Sequence, residues 1–111
     1  MREVHHVEAL GWLRAQGRMS GASVVTSLPD VSEMRDLDFH DWTRWFKTAA
    51  LAAMNSVGDD GVAVFFQSDI RRSGVWVDKG ALVAGAAEEA GMSLLYHKIV
   101  CRLPPGSATS G

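Results

Sequence analysis

Two short apolar runs on either side of one long helical stripe place the strongest constraint on how this chain can fold. Residues 22–26 and 62–66 are rich in valine, threonine or phenylalanine, as buried strands are. The first run does not alternate cleanly between polar and apolar residues, so it is expected in a parallel sheet covered on both faces. The helical stripe between them comprises Phe39, Trp42, Trp45, Phe46, Ala49, Ala50 and Ala53. The pattern predicts a strand–helix–strand unit whose tryptophans belong to the core.

Capping residues set the expected bounds of three helices. An apolar series at three-residue steps over residues 4–13 predicts a first helix that ends at Gly17. Asp38 is the expected N-cap of the central helix. A third helix opens at Asp78 and closes at Gly91, which suits the C′ position because glycine adopts positive φ at low cost.

The remaining segments complete an alternating order of helices and strands. Residues 67–74 form a predicted polar loop, and residues 93–103 form a predicted third strand near the sheet edge. Residues 104–111 have the composition of a flexible tail. This order predicts an α/β fold of three layers with a mostly parallel, Rossmann-like sheet. Because about three strands are few for such a sheet, residues 1–111 are expected to form a single partial domain.

Charge, cysteine usage and hydropathy exclude several classes of protein. With 11 basic and 13 acidic residues the formal net charge is -2, so any contact with nucleic acid must be local. Cys101 is the one cysteine, and no metal-ligand spacing of cysteine and histidine occurs. No signal peptide and no run of roughly 18 apolar residues is present. These features predict a cytoplasmic protein with neither structural zinc nor a membrane span.

Polar residues follow both central strands, where open α/β sheets bind ligands. The tetrad Ser27, Leu28, Pro29 and Asp30 comes after the first strand, and residues 67–72 come after the second. Pro29 ends the first strand because it cannot donate to a sheet ladder. We expect both groups at the same end of the sheet.

Several features then recur in a fixed order over about residues 20–103. They are residues 24–30, a tryptophan-bearing helix, Gly61 before the second strand, a helix ending at Ala90 and Gly91, and residues 95–99. This order resembles the catalytic half of class I S-adenosylmethionine (SAM)-dependent methyltransferases that modify amino groups. In that family a strand ends in Asp, Asn or Ser, then a small or apolar residue, then Pro, then usually an aromatic.

The tetrad matches that family pattern at three positions and departs from it at the fourth. Ser27, Leu28 and Pro29 match, whereas Asp30 stands where members that methylate exocyclic base amines place an aromatic to stack on the base. The resemblance implies methyl transfer to an amino group of a nucleic acid or nucleotide-like substrate. Such a transfer depends mainly on positioning, because the sulfonium leaving group is already cationic.

The resemblance implies a catalytic role for each residue of the tetrad. The Ser27 oxygen and the Leu28 carbonyl would accept hydrogen bonds from the target amine, and Pro29 would stiffen the turn. Asp30 would accept a proton or bond a polar substrate group. An ordinary strand-to-loop junction accounts for the same residues, with Asp30 or Ser32 capping a helix.

SAM is the cofactor that the resemblance implies, but the family's glycine-rich loop has no counterpart here. The 11 glycines are scattered, and none forms a G-x-G turn after a strand. In permuted family members the catalytic half comes first, so the cofactor-binding half is expected beyond Gly111. The isolated chain is then expected to be inactive. Because of an exposed sheet edge, it is also expected to be marginally stable, or to self-associate or pair with the missing half.

The segment after the second strand is the predicted substrate site. Two adjacent arginines can bind a phosphate, and an amide or carboxylate can form hydrogen bonds to the polar edge of a base. An indole beside cations can stack on a base. The predicted substrate-binding residues are Gln67, Ser68, Asp69, Arg71, Arg72 and Trp76. The structural alternative is a solvated loop with its arginines in water and the indole packed beneath it.

Two other functions stay open on the sequence. One is a non-catalytic α/β module that binds a partner or nucleotide through the loop of Arg71 and Arg72. The other is an unrelated nucleotide-binding domain, with a phosphate at a helix N-terminus and no role for the tetrad.

Overall fold

A computed structural model describes residues 5–6, 8–34 and 36–99. These residues form a small α/β domain, which confirms the predicted class. Its elements in chain order are α1 (Ala9–Gln16), β1 (Val24–Thr26), a 3-10 turn (Val31–Glu33), α2 (Phe39–Asn55), β2 (Ala63–Phe65), β3 (Ile70–Arg72), β4 (Val75–Val77) and α3 (Lys79–Ala90).

Helices α2 and α3 begin at the predicted N-caps, and α1 and α3 end at the predicted glycines. The Asp38 side chain accepts a hydrogen bond from the Asp41 amide at 2.8 Å, and Asp78 accepts one from Ala81 at 3.0 Å. Gly91 ends α3 with a φ of 73°, in the left-handed region. Helix α1 begins later than predicted, after the N-cap Glu8, and the start expected at Val4 lies outside the described residues.

Strands β1 and β2 form a short parallel sheet in which Val25 aligns with Val64. The segments that lead into the two strands approach closely at Gly61, where a Cβ would overlap the carbonyl oxygen of Ala22. Glycine is therefore required at the start of β2. The described residues place two parallel strands in this sheet, not the three predicted.

Helices α2 and α3 cover one face of the parallel sheet. Ala50, Met54 and Ala86 form a buried cluster against which the β2 side chains Ala63 and Phe65 pack. On the opposite face Val25 is 76% exposed, so the expectation that β1 is covered on both faces is wrong for the described residues.

The predicted loop at 67–74 is wrong, because much of it belongs to a β-hairpin. Strands β3 and β4 pair antiparallel, with Arg71 opposite Trp76. Ser73 and Gly74, at the turn, have φ values of 52° and 79°, as a type I′ turn requires. The twist of a type I′ turn matches the twist of the two strands that it joins, and this match stabilises the hairpin. The polar composition of the segment had instead indicated an irregular loop.

The strand predicted at 93–103 is wrong over residues 93–99, which carry no regular structure. A Cβ placed on Gly80 would lie 3.0 Å from the His97 ring, so this segment runs back along α3 instead of joining the sheet. Leu94, Leu95 and Ile99 stay exposed. Residues 100–103, and the tail predicted at 104–111, lie outside the described residues.

A second buried cluster joins the hairpin to α2. Val31, Trp42, Phe46 and Val77 are its buried members, and the half-buried Trp45 packs against them, so the predicted core role of the tryptophans is confirmed. Within the described residues no helix combines the length and apolar character that a membrane span requires.

Candidate functional site

The tetrad and the segment after β2 meet at the carboxyl end of the parallel sheet. The side-chain amide of Gln67 accepts a hydrogen bond from the Leu28 amide at 2.6 Å and donates one to the Leu28 carbonyl at 3.1 Å. The last backbone bond of the ladder between β1 and β2 runs from the Phe66 amide to the Thr26 carbonyl at 2.9 Å. The Gln67 side chain extends this ladder by one further step. This clamp fixes the backbone of the tetrad to the neighbouring strand.

The second half of the tetrad is held by α2 and by its own 3-10 turn. The Trp42 indole N–H donates to the Pro29 carbonyl at 3.1 Å. Asp30 caps the turn, since its carboxylate accepts from the Val31 amide at 2.7 Å while Glu33 accepts from the Asp30 amide at 3.2 Å. The capping role considered as the alternative for Asp30 is thus present in the structure.

Lys79 is a residue of the candidate site that the sequence did not indicate. Its side chain is 2% exposed, and its ammonium lies 3.2 Å from an Asp30 carboxylate oxygen and 2.6 Å from the Ser68 carbonyl. The ammonium also lies 5.9 Å from the centroid of the Trp42 ring. A cation in the first turn of a helix interacts unfavourably with the helix dipole. This position in the sequence could have indicated that Lys79 has a stabilising partner in another part of the chain. Lys79 ties the tetrad, the segment after β2 and α3 together.

At positions 67–69 the predicted substrate residues supply polar groups to bonds within the protein, although the exposed side chain of Ser68 makes none among the described residues. Gln67 forms the clamp described above, and Ser68 lends its carbonyl to Lys79. The Asp69 carboxylate accepts from the Lys79 amide at 2.9 Å, which satisfies one of the free amides at the start of α3. Their substrate-binding role stays a prediction.

Ser27 differs from its neighbours because its side chain is exposed and makes no hydrogen bond to the rest of the described chain. The Leu28 carbonyl, which accepts from Gln67, retains one of its two lone pairs. A ligand could therefore bond Ser27 Oγ and this carbonyl without displacing an internal partner.

The hairpin separates the two predicted arginines. Arg72 places its guanidinium 5.4 Å from the centroid of Phe39, which stacks on Trp42 at 5.9 Å. Arg71 pairs across the ribbon with Trp76, and both are exposed. Because neighbouring residues of a strand point to opposite faces, Arg71 and Trp76 share the outer face while Arg72 lies on the inner one.

No glycine-rich loop follows a strand among the described residues. A cradle for the cofactor needs glycines that follow a strand and let backbone amides approach it, but Gly58 and Gly61 precede β2 and Gly74 lies in the hairpin turn. In the same part of the chain no three His, Cys, Asp or Glu side chains gather as metal ligands would. The arrangement offers acceptors for a polar substrate, and the cofactor would have to be held by other residues.

Comparisons with known proteins assign no family to this geometry. The resemblance to methyltransferases therefore depends on the order of motifs along the sequence, and the site has to be interpreted from its own contacts. No family model, curated protein or solved structure matches the chain.

Proposed function

We propose that this chain is the target-binding half of a SAM-dependent methyltransferase acting on an amino group of a nucleic acid or nucleotide-like substrate. The observation that supports the proposal is the Gln67 clamp, which fixes the Leu28 carbonyl and the adjoining Ser27 at the carboxyl end of a parallel sheet. The proposal includes a Rossmann-like, three-layer arrangement, which would need a further layer over the sheet face on which Val25 is exposed. It also includes a cytoplasmic location.

In this proposal the chain positions the amine and takes no covalent part. Ser27 Oγ and the Leu28 carbonyl accept hydrogen bonds from the two amine protons, which directs the nitrogen lone pair away from the tetrad. Pro29 and Trp42 hold the turn that aims these acceptors. Asp30 is bonded to Lys79 and to its own turn, so we assign it an anchoring role in place of the proton-accepting role expected from the sequence. SAM, held by a further segment or a partner chain, would supply the methyl group and leave as S-adenosylhomocysteine, and the proton lost from the methylated nitrogen would pass to solvent.

The role of the tetrad is tested by comparing two serine variants in a methyl-transfer assay with labelled SAM, on a product of the same gene that binds S-adenosylhomocysteine. Ser27→Ala removes one acceptor and should lower turnover about 3- to 10-fold, as expected for one neutral hydrogen bond. Ser32→Ala is the matched control, because Ser32 is exposed close to the tetrad. Equal rates for both variants would count against the proposal.

Calorimetric titration with S-adenosylhomocysteine tests the assignment of the cofactor. This chain should show no binding, and a longer product carrying the cofactor half should bind. If no product of the gene binds the cofactor, the methyltransferase proposal is wrong. The alternative is a non-catalytic module that binds a partner or nucleotide through the outer face of the hairpin, without any role for the tetrad.

A further inference from the structure

The outer face of the β3–β4 hairpin presents an aromatic ring and a cation side by side. Trp76 is 59% exposed, which is unusual for so large an apolar side chain, and Arg71 lies directly opposite it. Side chains directly opposite each other in an antiparallel pair have Cβ atoms about 5 Å apart. Among the described residues Arg71 has no ion-pair partner. Its charge is therefore available to a ligand.

The inner face of the same hairpin holds this pair in place. Val77 is buried in the cluster of Trp42 and Phe46, and Ile70 packs against that cluster. Arg72 is engaged with the Phe39 ring. A rigid support matters because a preorganised aromatic surface loses little conformational entropy when a ligand stacks on it.

We propose that the outer face of the hairpin binds one nucleotide of a single-stranded nucleic acid. A base stacks on the Trp76 indole, and the Arg71 guanidinium forms hydrogen bonds to an adjacent phosphate. The inference deepens the proposed function, because it names the class of substrate. It depends on the hairpin and not on the tetrad, so it can be tested separately.

Single strands fit this surface better than duplexes, because only an unpaired base offers its ring face to an exposed indole. The local charge limits the contact to about one phosphate. Asp69 and Asp78 lie next to the hairpin in the sequence, and the net charge of the whole chain is -2, so the overall charge of the chain does not attract a polyanion.

The experiment measures binding of a labelled single-stranded oligonucleotide to the unmodified chain by fluorescence anisotropy, over a series of salt concentrations. One phosphate contact in a single strand predicts a slope of about -0.7 in log K against log salt. Trp76→Ala should weaken binding about 5- to 150-fold, the range measured for loss of base stacking. Trp76→Phe keeps a ring on which a base can stack and should retain most of the affinity.

The two arginines provide the matched control, since both are exposed and carry the same charge. Arg71→Gln should abolish the salt slope, whereas Arg72→Gln should leave it unchanged. Equal effects of both substitutions would show nonspecific attraction and overturn the inference. An oligomer of the same charge that lacks bases should bind the unmodified chain as weakly as the normal strand binds the Trp76→Ala variant. If this oligomer binds as tightly as the normal strand, the inference is wrong.

The outcomes separate this inference from the methyltransferase proposal, because binding is measured without cofactor. Binding that requires Arg71 and Trp76, in a gene product that never binds S-adenosylhomocysteine, would support the hairpin site and refute methyl transfer. Methylation of a free nucleoside without any binding of the oligonucleotide would overturn the hairpin site alone. Preference for a duplex over a single strand would also contradict it.

Discussion

Replacing Lys79 by methionine should destabilise the fold by about 2–3 kcal/mol. The variant loses a hydrogen bond from a charged donor to the Ser68 carbonyl at 2.6 Å, and such bonds contribute roughly 1.5–3 kcal/mol. It also loses the ion pair with Asp30 at 3.2 Å. Breaking a buried ion pair costs roughly 3–5 kcal/mol, but the Asp30 side chain is 20% exposed, so water can hydrate the carboxylate that is left behind. Methionine also fills most of the space of lysine without the cost of desolvating a charge. The expected net loss of stability is therefore about 2–3 kcal/mol, less than the sum of the two lost interactions.

Urea unfolding followed by circular dichroism measures this loss, with Lys47→Met as the matched control. Lys47 forms an ion pair with Glu89 at 2.8 Å, but both side chains are about half exposed, so the same substitution should cost less than about 1 kcal/mol. The melting temperature of the Lys79 variant should fall by roughly 10–20 °C. Combining Lys79→Met with Asp30→Asn should show a coupling energy of about 1 kcal/mol or more, since the two side chains are in contact.

An unchanged or increased stability of Lys79→Met would refute this reasoning. It would mean that burying the ammonium costs more than its contacts with Asp30 and Ser68 return, as happens for some buried ion pairs. A large loss without coupling to Asp30 would instead assign the stabilisation to the Ser68 carbonyl alone.

Three further predictions address the sheet, α3 and the state of association. Gly61→Ala should destabilise the fold by about 2 kcal/mol or more in urea unfolding, because its Cβ would meet the Ala22 carbonyl. Gly85→Ala, at an open position inside α3, should stabilise the fold by about 0.5–1 kcal/mol, and equal effects of the two substitutions would contradict this. Asp78→Ala should cost about 1 kcal/mol by the same assay through loss of the N-cap, and a neutral result would show that Asp69 alone suffices. The chain should self-associate in sedimentation equilibrium through the open sheet face, and Val25→Lys should shift it toward monomer; an unchanged distribution would exclude that face.

The sequence predicts the helices of this fold well because their signals are local. Asp38, Asp78 and Gly91 act on amides or carbonyls within one turn of chain, and each was assigned correctly. The two parallel strands were also found, although each is shorter than predicted. Apolar composition shows that a segment is buried, but the number of its ladder bonds depends on the neighbouring strand.

The errors concern features that depend on distant contacts. Residues 93–99 are as apolar as a strand, but no local signal indicates that they return along α3, where His97 reaches Gly80. The hairpin had a usable signal, since Ser73 and Gly74 separate two short runs that contain valine, isoleucine and tryptophan. The arginines within those runs made them resemble a loop. The partners of Lys79 are far away in sequence, so only its position at a helix start was informative.

The internal bonds of the candidate residues help to distinguish ligand contacts from structural ones. A polar side chain that satisfies a buried amide or carbonyl cannot turn to a ligand without leaving that group unpaired, which costs about 1–3 kcal/mol. Gln67, Asp69 and Asp30 are committed in this way. Of the polar side chains predicted to form the site, Ser27, Ser68 and Arg71 carry no such cost, because none of them has an internal partner among the described residues.

A series of contacts through the core links the segment of Ser27 to the hairpin that carries Arg71. The Pro29 carbonyl accepts from the Trp42 indole, Trp42 stacks on Phe39, and the Phe39 ring contacts the Arg72 guanidinium on the inner face of the hairpin. Because each contact involves a planar group with restricted geometry, the hairpin and the tetrad are held on one rigid support. A substrate that reaches from Trp76 to Ser27 would therefore meet both in a fixed relative position, which is the condition for transfer controlled by positioning.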